Sequence, residues 1–200
     1  MRRGLIRGPR EDEEAFARRC AQCQPIAGEE WAIAHRRTQE LFGFTVDWVP
    51  LTYSNQKLPF WEGAATWISE TGLPHIQLRK AFKKGRHLGY SRDEILAHES
   101  VHAARMAFDE PRFEEIIAYQ TSKSPLRRFF GPLFRRTWES ALFMTALTLT
   151  PFFLPSLVIP AYFFFRLLRN QMIFRRCRKK HPLSVIIGLT DREIENSVRF

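Results

Sequence analysis

Cysteine is scarce in this chain, which limits the ways in which it can be cross-linked. The 200 residues include three cysteines, too few and too odd in number for a disulfide framework. Cys20 and Cys23 form a C-x-x-C pair, but the sequence offers no second pair to complete a structural zinc site. We therefore expect ordinary reduced thiols.

The first residues lack the apolar core of a secretory signal. Residues 1–14 are basic and then acidic, whereas a signal peptide contains an apolar stretch of about 7–15 residues. We therefore expect the N-terminal part of the chain to lie in the cytoplasm. Internal repeats are also missing, and a chain of this length favours one domain plus an appendage.

Acidic residues are outnumbered by lysine and arginine, 21 to 31, which gives a formal net charge of +10. Such an excess favours an anionic partner, either nucleic acid or the acidic surface of a membrane. The basic residues cluster beside an apolar stretch, and the sequence has no recognised nucleic-acid-binding motif. We therefore expect a membrane with anionic lipids as a partner, and do not expect nucleic acid.

The first half of the chain has patterns of helices and short strands. Composition predicts helices over residues 11–23 and 29–42. Alternating side chains predict a strand over Thr45–Val49, and two more over Ala65–Ser69 and His75–Leu78, with turn residues between the last two. A mixed α+β structure is therefore expected.

Helix-capping patterns mark the second half. Residues 91–94, Ser-Arg-Asp-Glu, fit a capping box, and the helix that they open should run to about Phe108. The next helix should begin at Pro111, with Asp109 capping it, and should end near Ser122. Residues 190–193 form a second capping box, which predicts a short terminal helix.

The helix predicted after Ser91 contains the pattern H-E-x-x-H over residues 98–102. Residues four apart lie one above the other on a helix, so His98 and His102 can bind one zinc ion. Glu99 lies about 100° around the helix from His98, so its carboxylate can hold a water molecule beside the metal and take its proton. Because zinc lowers the pKa of bound water to about 7, the pattern predicts hydrolysis of a polarised carbonyl, with a peptide bond as the expected substrate.

A catalytic zinc site needs a third protein ligand. A metzincin would have glycine and histidine where this chain has Arg105 and Phe108, which excludes that class. The next helix carries Glu114 and Glu115 about 100° apart, so only one of them can face the metal. Glu115 shares its face with the small residue Ala118, which favours close approach of two helices, but the pattern leaves Glu114 open.

Together these two helices resemble the gluzincin group of zinc metallopeptidases, in which a ligand glutamate is followed three positions later by a small residue. The resemblance covers about residues 91–122 and implies a small zincin-like domain with short strands before the metal-binding helix. It implies three zinc ligands and one general base: His98, His102 and Glu115 as ligands, and Glu99 as base. The family also uses a downstream histidine or tyrosine to stabilise the oxyanion, and three residues are candidates: Tyr119, Tyr162 and His181.

Residues 140–165 contain no charged side chain over 26 positions. As one helix they would span about 39 Å, more than the roughly 30 Å hydrocarbon core of a bilayer. Prolines at 151, 155 and 160 could kink a single transmembrane helix or divide the stretch into two short helices. Basic residues on both sides leave three alternatives open: a single span, a re-entrant hairpin, and a hairpin buried in a soluble protein.

These observations predict an α+β protein with three parts. They are a zincin-like metallopeptidase domain over residues 1–123, a basic-flanked apolar membrane segment over 124–181, and a C-terminal tail with a short helix over 182–200. The predicted function is a membrane-associated, zinc-dependent hydrolase of a peptide or protein substrate. The alternative is a non-catalytic, membrane-associated basic protein of structural or interaction type, in which H-E-x-x-H is fortuitous or vestigial. A soluble metal-binding regulator or a nucleic-acid-binding module is a weaker third possibility.

Overall fold

A computed structural model describes residues 3–26, 32–70 and 72–198 of the chain. Within these ranges the α-helices are α1 (Glu13–Gln22), α2 (Ala32–Phe42), α3 (Arg92–Arg105), α4 (Pro111–Ala118), α5 (Pro125–Phe130), α6 (Thr137–Leu149), α7 (Val158–Lys180), α8 (Leu183–Ile186) and α9 (Asp191–Asn196). The strands are β1 (Leu51–Tyr53), β2 (Ala64–Ile68), β3 (Pro74–Leu78), β4 (Arg86–His87) and β5 (Tyr90–Ser91). The mixed α+β class is confirmed, while the likeness to zincins stays a prediction.

Three of the strands form a small sheet in the order β1–β3–β2. Strand β1 runs parallel to β3, and β2 runs antiparallel to it, with Trp67 opposite His75. Within the described residues β2 pairs with β3 alone, so it forms an edge of the sheet. The strands predicted over residues 65–69 and 75–78 are confirmed. Strand β2 begins and ends one residue earlier than predicted, and β3 begins one residue earlier.

The strand predicted over Thr45–Val49 is wrong. The backbone turns there, and the amide of Val49 donates to the carbonyl of Val46 at 3.2 Å. Val46 and Trp48 are buried and Thr45 and Asp47 are only partly so, as in a half-buried strand, but Val49 is buried as well. Within the described residues, this segment pairs with no strand. The alternation in the sequence therefore reflects a buried turn that precedes β1.

Helix α3 packs against the sheet and against helices α2 and α4. It begins as predicted, because the Ser91 hydroxyl accepts a hydrogen bond from the amide of Glu94 at 3.2 Å. The Glu94 carboxylate does not complete the capping box but accepts from Arg127 at 3.1 Å. The helix ends at Arg105, slightly before the predicted end.

Helix α4 begins at the predicted residue but is not capped by Asp109. The amides of Arg112 and Phe113 each donate to the carboxylate of Asp191 at 3.1 Å, while Asp109 forms an exposed ion pair elsewhere. Asp191 is the first residue of α9, whose predicted capping box is confirmed. The C-terminal tail therefore supplies the cap that we expected from the loop before α4.

The hydrophobic core extends past the predicted boundary at residue 123. Ile186, Ile187 and Ile194 from the tail are fully buried in the same cluster as the apolar residues of α3 and α4. The buried guanidinium of Arg105 donates to the carbonyl of Ile187 at 2.7 Å and to that of Leu189 at 3.0 Å. The tail and helix α3 therefore stabilise each other.

The apolar stretch forms a hairpin of α6 and α7, joined by a turn over residues 150–157. Phe143 of α6 packs against Phe163 of α7, with ring centroids 6.0 Å apart. A single kinked helix through this stretch is therefore wrong, because the turn, which contains two of the three prolines, divides it in two. Among the described residues, no helix combines the length and the apolar character needed to cross a membrane.

Candidate metal centre

His98 and His102 lie one turn apart on α3, and their Nε2 atoms are 3.2 Å from each other. The Glu115 carboxylate on α4 lies 3.6 Å from Nε2 of His98 and 3.4 Å from Nε2 of His102. One ligand atom from each of these three residues lies within 4.8 Å of the other two. The structure therefore brings the three predicted ligands together, in a group that could hold a metal ion.

Glu114 contacts the opposite side of the His102 ring. Its Oε1 atom lies 2.7 Å from Nδ1 of His102, whereas the Glu115 carboxylate lies on the Nε2 side. A carboxylate on Nδ1 holds the imidazole in the tautomer whose Nε2 lone pair is free to bind a metal. The two neighbouring glutamates therefore have different roles: Glu115 is a candidate metal ligand, and Glu114 supports the candidate ligand His102.

The charges around the two imidazoles favour a cation. Burial alone would lower the pKa of His102, but the surrounding carboxylates, led by Glu115, raise it to about 10. Burial and the neighbouring His102 lower the pKa of His98 well below its usual value. Burial also raises the pKa of Glu115 to about 7. Carboxylates in a buried site attract positive charge to the space between the rings, and a divalent metal ion would supply it.

Glu99, the predicted general base, is buried beside strand β2. Its carboxylate accepts a hydrogen bond from the hydroxyl of Thr66 at 2.7 Å, and the same hydroxyl lies 3.3 Å from the Glu99 carbonyl. Burial raises the pKa of Glu99, against the opposing effects of His102 and of the Thr66 hydrogen bond. A raised pKa makes a carboxylate a better proton acceptor near neutral pH.

An open cleft of about 860 Å³ contains all five of these site residues, which is the size of a typical ligand site. It is lined by the edge strand β2, by parts of α3 and α4, and by residues 134–137 and 140 at the base of the hairpin. Phe60 and Trp61, both exposed, lie at its rim. The hairpin is therefore part of the wall of the cleft.

Of the three candidates for oxyanion stabilisation, Tyr119 alone lines the cleft. Its ring stands edge-on to that of His98, with centroids 4.6 Å apart. Burial raises the pKa of Tyr119 well above its usual value, so its hydroxyl keeps the proton and can donate it in a hydrogen bond. Tyr162 is exposed on α7, and His181 follows the end of that helix.

Three residues of the cleft were missed by reasoning from the sequence: Glu62, Thr66 and Tyr90. Thr66 lies within a predicted strand, but no local pattern distinguishes it from other strand threonines. Tyr90 contributes to the raised pKa of Tyr119, an effect that depends on two distant segments. Comparisons of the chain with models of protein families, with curated proteins and with solved structures find no match.

Proposed function

We propose that this protein is a zinc-dependent metallopeptidase. The observation that carries the proposal is the convergence of His98, His102 and Glu115 within 4.8 Å, in a cleft that also contains the buried carboxylate of Glu99. Two imidazoles and one carboxylate are the ligands of a well-known class of hydrolytic zinc sites, and they leave a coordination position open. The donor set, its carboxylate support and its negative surroundings all fit zinc.

Each side chain has a separate task in this proposal. The three ligands would hold the metal, and Glu114 orients the His102 ring through Nδ1. When bound, zinc polarises a carbonyl group and acidifies a water molecule. Glu99 accepts the proton of the attacking water and passes it to the departing amine nitrogen. The hydrogen bond from Thr66 holds the Glu99 carboxylate in place, and the Tyr119 hydroxyl is available as a donor to the oxyanion.

The shape of the cleft favours a polypeptide as substrate. Strand β2 lines the cleft and, within the described residues, pairs with β3 alone. An extended peptide can add to such an edge through main-chain hydrogen bonds, whatever its side chains. The substrate would then lie along β2, with its carbonyl groups near Glu99.

The proposal is tested by pairing metal analysis with peptide hydrolysis. Wild-type protein should bind about one zinc ion per chain, and His98→Ala should lose it. Glu99→Gln should keep the zinc but hydrolyse a peptide library about 10²–10⁴-fold more slowly, because it removes a proton acceptor and no ligand. Glu70→Gln, the same change at an exposed position, is the matched control. Undiminished hydrolysis by Glu99→Gln would contradict the mechanism, and a wild type without zinc or hydrolysis would favour the non-catalytic alternative.

A further inference from the structure

The tip of the hairpin exposes large apolar side chains with little packing of their own. Phe152, Phe153 and Leu154 in the turn are 88%, 60% and 69% exposed, and Val158 at the start of α7 is 70% exposed. The buried apolar residues of α6 pack within the hairpin and do not belong to the main core. An exposed apolar surface of this kind marks a contact with a membrane or another apolar surface.

Charge is distributed along the hairpin in two zones. At its base, Glu139 and Arg166 form an ion pair at 2.6 Å, and no residue between them in sequence is charged. From Ser140 to Leu149 helix α6 rises about 15 Å, which is half of the roughly 30 Å hydrocarbon core of a bilayer. The charge-free part of the hairpin is therefore as long as one lipid leaflet is deep.

The zone below the ion pair suits lipid headgroups. Several arginines there are exposed: Arg136, Arg169, Arg175 and Arg176. Exposed cations next to an apolar insert attract anionic headgroups. Trp138, also exposed at the base of α6, has the side chain that is most typical of the membrane interface. Arg169 also pairs with Glu195 at 3.4 Å, so Arg136, beside the start of α6, is the cation that most needs a partner from outside the chain. A lipid bilayer with anionic headgroups complements both zones, whereas a purely apolar partner would leave Arg136 without a counter-ion.

The cleft reaches the level where the charge-free zone begins. Ser140 is the first residue of that zone and also lines the cleft. The hydroxyl of Thr137, at the start of α6, donates to the Glu62 carboxylate at 2.7 Å. This hydrogen bond ties the base of the hairpin to the rim that carries the exposed Phe60 and Trp61.

We infer that the tip of the hairpin inserts into one leaflet of an anionic bilayer and holds the cleft at the bilayer surface, so that the substrate is a polypeptide segment next to the membrane. Insertion does not depend on catalysis, while the identity of the substrate rests on the proposed function. The occupant of the apolar tip is lipid, and self-association of two chains through that tip is the competing outcome.

Insertion is measured by sedimentation with vesicles of phosphatidylcholine, with and without phosphatidylglycerol. Wild-type protein should sediment with the anionic vesicles, and changing Phe152, Phe153 and Leu154 together to serine should weaken binding by at least about 100-fold. Arg136→Gln should weaken it about fivefold, and only on anionic vesicles. Val185→Ser, at an exposed apolar position beyond the far end of α7, is the control. A wild type that forms dimers but stays in the supernatant would overturn insertion.

The position of the cleft is measured without hydrolysis by quenching tryptophan fluorescence with brominated lipids. The difference between wild type and Trp61→Phe reports how close the rim lies to the bilayer. We expect quenching of Trp61 in vesicles, and its loss when the three tip residues are serine. Vesicle binding without quenching of Trp61 would overturn the placement of the cleft at the bilayer surface.

The substrate class is measured with one peptide in three forms: free, anchored to lipid through a spacer of a few residues, and anchored through a long spacer. A cleft at the bilayer surface should cleave both anchored forms at least about 10-fold faster than the free peptide, because anchoring raises the local concentration. If only the long spacer supports cleavage, or if free and anchored peptides are cleaved equally, the inference is overturned. Failure to cleave any form would count against the proposed function, while sedimentation and quenching would still decide insertion and placement.

Discussion

At the scale of single residues, the site distinguishes two glutamates that are neighbours in the chain. The Glu115 carboxylate lies 3.6 Å from Nε2 of His98 and 3.4 Å from Nε2 of His102. Glu114 lies behind His102, 2.7 Å from its Nδ1 atom. The position of Glu115 is suited to a metal ligand, and that of Glu114 to a residue that orients a ligand. The helical period separates the two side chains but does not say which one faces the metal.

These two positions should respond differently to the same substitution. Glu115→Ala removes a candidate ligand and should abolish stoichiometric zinc binding, whereas Glu114→Ala should weaken zinc binding by only about 10–100-fold. The measurement is zinc affinity by competition with a chromogenic chelator, and the two variants serve as controls for each other. If Glu114→Ala is the variant that cannot hold zinc, the ligand assignment moves by one residue.

At the scale of elements, the hairpin is held at its base by a mostly buried ion pair. Arg166 donates to both oxygens of Glu139 at 2.6 Å and to the carbonyl of Leu133 at 3.0 Å. Burial would raise the pKa of Glu139, but the hydrogen bonds from Arg166 prevail and lower it. Because the folded pKa lies below the unfolded value, the pair stabilises the fold above the ordinary glutamate pKa. That stability is lost as the pH falls through the folded pKa.

Glu139→Gln should lower the free energy of unfolding by about 3 kcal/mol at neutral pH, because it leaves Arg166 without its counter-ion. The difference from wild type should shrink below about pH 4, where protonation removes the same charge from the wild type. Thermal unfolding followed by circular dichroism across this range measures both effects, with Glu70→Gln as the exposed control. A difference that stayed constant with pH would show that the charge of Glu139 is not what stabilises the hairpin.

At the scale of the whole molecule, the C-terminal tail and the helices α3 and α4 stabilise each other. The tail caps helix α4 through Asp191, and it buries Ile187 and Ile194 against the segment that carries the candidate metal site. Arg105 of α3 in turn donates to carbonyl groups of the tail. The geometry of the candidate ligands therefore rests on residues that follow them by about eighty positions.

Asp191→Ala should destabilise the protein by about 1 kcal/mol or more, because it removes the cap of the helix that carries Glu114 and Glu115. Zinc affinity should fall with it, since one candidate ligand would then lie on a frayed helix. Asp109→Gly removes the carboxylate of the exposed residue next to that helix, and glycine suits the left-handed backbone of this position (φ 51°). This change should alter stability by less than about 0.5 kcal/mol. Urea unfolding and zinc affinity are measured for both variants. If Asp109 is the cap, the Asp109 variant will be the less stable of the two.

The local features of this protein were predictable from its sequence. Three features depend on side chains within a few positions of one another: the cap of α3 at Ser91, the capping box of α9, and the strands β2 and β3. The placement of His98 and His102 on one face depends only on the helical period. The wrong prediction of a strand over Thr45–Val49 shows the limit of such local patterns. A buried turn and a half-buried strand can have the same alternation of side chains.

The remaining features were decided by the tertiary structure. The choice between Glu114 and Glu115 depends on the rotation of α4 against α3, and the hydrogen bond from Thr66 to Glu99 joins residues that are 33 positions apart. Two further contacts also join distant segments. Helix α4 is capped by Asp191 and not by the nearby Asp109, and the base of the hairpin forms part of the cleft wall. No pattern among neighbouring residues encodes such contacts, because they form only when the burial of apolar side chains brings the segments together.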